Sequence, residues 1–172
     1  MRTKFLIATV LAAVFAAAGV TFASADSHSA GDDGAQSIEL FAVTDQFAFI
    51  DADGSGETAP TVGDQFVFSD NLFDHKGGTK VGTDGVSCTF VHLEPAKTPT
   101  EGTLQCVATI SLKGGQITIQ GVFTTPLAEN ELPPPFELAV TGGTGEYEGA
   151  EGHVTVEELN DTDANLTVVL ED

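Results

Sequence analysis

The chain has 172 residues, with 26 Asp and Glu against six Lys and Arg, a formal charge of −20 at pH 7 and 41% hydrophobic residues. A negative field of this strength repels phosphate backbones and anionic lipid surfaces, which excludes nucleic acid as a partner. The length suits one domain that is able to bury a real core.

Residues 1–25 read as a signal peptide. Arg2 and Lys4 form a positive start, an apolar stretch runs from Phe5 to Phe22, and Ala23-Ser24-Ala25 offers small residues for cleavage before Asp26. No later segment reaches the length of about 20 apolar residues that a helical span needs, so the cleaved protein is expected to be secreted, without a membrane partner. Cleavage removes two of the six basic residues and none of the acids, leaving four Lys against 26 Asp and Glu, a charge of −22. Residues 26–36 are small and polar and read as a flexible tail. The domain itself is expected over residues 37–172.

From Ser37 onward almost every segment reads as strand. Leu104, Cys106, Ala108, Ile110 and Leu112 alternate with polar or smaller residues, and Ile117, Ile119, Gly121 and Phe123 do the same. Strands are expected at 37–50, 65–73, 83–93, 104–112, 115–123, 136–141, 152–159 and 164–170, with Gly pairs at the turns. Eight short antiparallel strands predict an all-β fold, an eight-stranded antiparallel β-barrel whose closure removes exposed edges. Such a barrel either fills with side chains or holds one small ligand. A β-sandwich fits the same pattern. Whether Phe47, Phe49, Phe66 and Phe68 face a pocket, a subunit contact or an outer patch stays open, and the loop Leu127–Pro135 is long enough to roof a barrel mouth.

Cys88 and Cys106 both lie in the exported part, where an even pair is most simply a disulfide. A hairpin symmetric about Lys97 sets them opposite each other, at the Cα separation of about 4.5 Å of a non-hydrogen-bonded pair.

The remaining motifs are weaker. Asp51-Ala-Asp53-Gly-Ser55-Gly56 looks like the start of a calcium loop, but Val62 stands where a bidentate Glu is needed, so an Asx turn is the better reading. His28, His75, His92 and His153 have no spacing that would hold a metal, and no metal site is expected. His92 shares the parity of Val86, Cys88 and Phe90 and is a candidate to look into a cavity. No hydrolase elbow is visible. The segment Thr141–Gly152 carries five glycines, no following Lys and three Glu, which suits a tight turn with Tyr147 as a packing plug.

At that segment the chain resembles the allene oxide cyclase and dirigent barrel family. Gly142-Gly-Thr-Gly-Glu-Tyr147-Glu-Gly-Ala150-Glu-Gly152 is similar to the glycine-rich signature of the cyclases. Gly63-Asp64-Gln-Phe-Val-Phe68-Ser-Asp70-Asn-Leu72-Phe73, the Val81-Gly82 and Cys88 spacing, and Leu112–Gly121 resemble further cyclase segments, in the same order. The resemblance implies an eight-stranded barrel around an apolar cavity, a homotrimer, and a small apolar or phenolic ligand whose cyclisation or coupling is steered without a cofactor. It places Ala42, Thr44, Asp70 and Cys88 at cavity positions. Asp70 is therefore the catalytic candidate, with Asp64, His92 and Tyr147 as further ligand-binding candidates. A non-catalytic carrier and a filled structural or interaction barrel remain as alternatives.

Overall fold

The computed structural model describes residues 35–56, 59–94 and 98–171. The segment expected to be a signal peptide, most of the expected polar tail and Lys97 lie outside them. Eight strands follow in chain order: β1 Gln36–Ile50, β2 Gln65–Phe73, β3 Lys80–Leu93, β4 Glu101–Leu112, β5 Gly115–Pro126, β6 Phe136–Gly145, β7 Glu151–Glu158 and β8 Asp163–Glu171. Each pairs antiparallel with the next, and β8 returns to β1, so the sheet closes into a barrel. Closure settles the choice between barrel and sandwich.

The inside face follows the period-2 pattern. Leu104, Cys106, Ala108 and Ile110 are buried on β4, whereas Val107 between them is exposed. Leu40, Leu72, Ile117, Val140, Val168 and Leu170 belong to the main core and plug the barrel below the cavity described next. Each fully buried side chain of this kind stabilises by ~1.5–3 kcal/mol.

Two departures from simple alternation shape the site. On β1 the pairing with β2 shifts between Thr44 and Gln46, leaving Asp45 as an extra residue. That bulge changes the parity of the strand, so Ala42 and Thr44 precede it on the inner face and Phe47 follows on the same face. Phe47 and Phe49 then pack on Phe66, at centroid distances of 5.8 and 5.4 Å. On β3 the register slips between Phe90 and His92. His92 is turned to the exposed surface, away from the face that its parity with Cys88 predicted.

The Gly-rich segment also differs from expectation. β6 runs through Thr141-Gly-Gly-Thr-Gly145, because this stretch pairs with Gly115–Thr118 of β5. The turn proper is Glu146–Ala150, where Ala150 N–H donates to the Tyr147 carbonyl at 3.0 Å. Two glycines are required here. Gly145 has φ +66°, and a Cβ on Gly152 would lie 2.0 Å from the Val169 carbonyl oxygen.

Cys88 and Cys106 are directly opposed on β3 and β4, with a Cα–Cα distance of 4.0 Å, and form a disulfide.

Candidate active site in the barrel lumen

The barrel encloses a cavity of about 450 Å³, open at the end where β1 stops and β2 begins. Ligand pockets run from about 300 to 1,000 Å³, so it fits one small molecule. The wall has two unlike halves. Along β4, β5 and β6 it is apolar, built from residues such as Leu104, Ala108, Phe123, Phe136 and Leu138. Phe123 and Phe136 stack face to face at 3.7 Å with an interplanar angle of 6°. The Cys88–Cys106 disulfide and Phe66, Phe68 and Phe90 continue this surface.

The other half is acidic. Thr44 on β1, Asp70 on β2, Asp84 on β3, Glu158 on β7 and Asp163 on β8 all line the cavity, with Asp161 at the β7–β8 turn. No Lys, Arg or His is present among the described residues of the lining. The turn is held rigidly: the Asn160 side-chain oxygen accepts from Thr162 N–H at 2.9 Å and Asp163 N–H at 3.0 Å. Thr44 N–H donates to the Thr162 carbonyl at 2.8 Å, tying the β1 bulge to the same rim.

Asp70 and Asp84 form the centre of the acidic half. The Asp70 backbone N–H donates to Asp84 Oδ1 at 2.9 Å, which sets the two carboxyls side by side. Asp70 is only 7% exposed, and its Oδ1 is buried without a hydrogen-bond partner. Burial raises the Asp70 carboxyl above its usual range, against the opposing effect of Thr44 and Asp84. Asp84 is pushed up to about 7, first by burial and then by the charge of Asp70. Glu158 is raised too, by burial and then by Asp161 and Asp70. Two like charges this close in an apolar wall do not both ionise readily, so the pair favours holding one proton between them below about pH 7. A carboxylic acid that keeps its proton near pH 7 beside an ionised partner is equipped to donate a proton and to take one back.

The other sequence-derived candidates lie elsewhere. Asp64 is buried, but its carboxylate accepts from Ala52 N–H at 2.9 Å and Thr61 N–H at 2.7 Å, clamping the β1–β2 loop outside the cavity. Those two donors hold it below the ordinary carboxylate range. In the same loop Asp51 accepts from the N–H groups of Gly54 and Gly56, both at 2.8 Å, as an Asx turn does. Tyr147 packs against the plug and borders a shallow cleft with Ile38 and Leu112, away from the lumen. Of the loop Leu127–Pro135, only Leu127 reaches the cavity. Of the four proposed side chains the lumen therefore holds Asp70 alone, with Ala42, Thr44 and Cys88 from the resemblance beside it. Asp84 and Glu158 are additions. The signal for Asp84 was its parity, since Asp84, Val86, Cys88 and Phe90 alternate on one face.

The family model described as the allene oxide cyclase barrel like domain matches residues 36–170. The chain belongs to this family. A solved structure described as pyocyanin demethylase is 32% identical, over 78% of this chain and 99% of that one, with a TM-score of 0.63. The structure of AbnU, an exo-specific intermolecular Diels–Alderase, is 14% identical over 80% of this chain and 98% of that one, with a TM-score of 0.57. The Diels–Alderase AbmU from Streptomyces koyangensis is 12% identical over 83% of this chain and 70% of that one, with a TM-score of 0.58. The last two likenesses establish the shared fold. No curated protein matches the sequence.

Proposed function

We propose that the exported barrel binds one small, largely apolar molecule in its lumen and converts it without a cofactor, by proton transfer within an enforced conformation. The observation that carries this reading is the Asp70–Asp84 pair at the wall of an otherwise apolar cavity. The protonated member donates to a basic atom of the bound molecule. The ionised member removes a proton from another position, so that the pair again holds one proton. The net result is an isomerisation or ring closure that returns the carboxyls to their starting state and transfers no electrons to the protein. The apolar half of the wall holds one near-attack conformer and keeps out water. The likeness to pyocyanin demethylase makes pyocyanin the first ligand to test for binding, and the cyclases in the family make fatty-acid epoxides and phenolic precursors the first substrates.

The test is incubation of the mature, oxidised protein with each compound near pH 7, with products followed by liquid chromatography and mass spectrometry. One of them is expected to be turned over, and Asp70→Ala is expected to slow it by about 100-fold or more, the usual cost of a lost general acid or base. Binding with an unchanged product distribution makes the barrel a carrier instead.

A further inference from the structure

Charge in the lumen is distributed in a way that the proposed proton transfer alone does not require. The charged groups facing the cavity come from every element of its polar half except β1: Asp70 on β2, Asp84 on β3, Glu158 on β7, Asp161 in the turn and Asp163 on β8. β4, β5 and β6 contribute no charged side chain to the lining, and β1 contributes Thr44. No basic side chain is present in the described lining to neutralise the acids. Asp70 is more than nine-tenths buried, lines the cavity and leaves Oδ1 without a partner. A buried acceptor of this kind costs free energy unless a donor reaches it, and a ligand in the lumen with an N–H is placed to supply one.

The opposite half of the wall has a shape preference as well. The rings of Phe123 and Phe136 lie parallel, and Phe66 and Phe90 meet edge to face at 5.5 Å. Aromatic walls with one acidic side suit a flat ring that carries a proton or a positive charge at one edge. A molecule bearing a carboxylate would have to bury that group among acids or leave it pointing out of the mouth. The first arrangement is strongly repelled in a low-dielectric site.

Resting on the reading that the lumen binds a small molecule, we propose that it selects by charge: it takes flat heteroaromatic bases and cations, whose N–H or positive atom sits against Asp70, Asp84 and Glu158, and rejects carboxylates of the same shape.

Three ligands on one ring frame test this: 9-aminoacridine, a cation near pH 7, acridine, which is neutral, and acridine-9-carboxylate, an anion. Their binding to the mature protein is measured by isothermal titration calorimetry in about 1 M NaCl, where the Debye length of about 3 Å screens the outer surface but not the lumen. The cation is expected to bind at least about 10-fold more tightly than the anion, and its uptake is expected to expel the proton that Asp70 and Asp84 share. The released proton makes the observed heat depend on the ionisation enthalpy of the buffer. In Asp70→Asn the preference is expected to fall to within about threefold, with acridine affinity retained, because Asn keeps the shape and loses the charge. Glu158→Gln, near the rim, reads the same effect should Asp70→Asn fold poorly. Equal affinity for all three ligands, or preference for the anion, overturns the charge selection and leaves lumen binding standing. If none of the three binds, the lumen-binding reading falls and takes the selection with it.

Discussion

Asp84→Asn is expected to make the protein more stable and less active. The Asn side chain keeps the shape of Asp84 and the acceptor for the Asp70 N–H, at 2.9 Å in the native protein, and deletes the ionisable group. Burial and the neighbouring Asp70 raise Asp84 from 3.8 to about 7 on folding. The folded state therefore holds a proton that the unfolded chain has already released, and native stability declines as pH rises from about 4 to about 7. The variant has no such decline. Its advantage is small near pH 4, grows through the interval and levels off above about pH 7, at ~2–4 kcal/mol for a shift of this size. Removing the charge also relieves Asp70, which adds in the same direction. Turnover of any substrate found is expected to fall by about 100-fold or more, because the proton donor is gone. Thermal unfolding of both proteins near pH 4 and near pH 8 checks the stability claim. A difference that is the same at both pH values contradicts it.

Removing the disulfide is the second change with a large expected effect. Cys88 and Cys106 are 18 residues apart in sequence and join the two strands that form one side of the lumen. In the chain-entropy model, a loop of this size contributes ~3 kcal/mol by restricting the unfolded chain. The double variant Cys88→Ala/Cys106→Ala loses that contribution and leaves two truncated side chains in a buried wall, 5% and 2% exposed in the native protein. The melting temperature is expected to drop by about 10 °C or more. A thiol assay on denatured, unreduced mature protein is expected to find no free thiol. Two free thiols, or a variant that melts with the native protein, contradict the bond and its role.

Much of this was legible in the sequence, for reasons that differ from part to part. The strands were legible because inner and outer positions of a closed sheet differ in polarity at every second residue, as β4 and β5 show. The Cys88–Cys106 pairing followed from hairpin symmetry, since the β3–β4 register carries no slip until past Phe90. Asp70 was reached through the resemblance alone. His92 was misplaced because one extra residue after Phe90 inverts the face of everything beyond it, and no local sequence feature marks that bulge. The same physics hid the direction of Phe47, whose face depends on the bulge at Asp45. Asp64, a ligand-binding candidate in the sequence, sits instead in a loop clamp, because a buried carboxylate is satisfied as readily by backbone N–H groups as by a ligand. Glu158 was illegible from its own strand. It becomes part of a site only when β8 brings Asp163 and the barrel brings Asp70 to the same rim.

Carbon-13 NMR of the aspartate side-chain carboxyls, titrated against pH in the ligand-free mature protein, tests the acid pair most directly. One aspartate resonance is expected to titrate with a midpoint near 7 and to vanish in Asp84→Asn, while Asp64 titrates below the ordinary carboxylate range. If every aspartate carboxyl titrates below about pH 5, near the unperturbed value of about 4, the lumen holds no shared proton and the proposed chemistry has no donor.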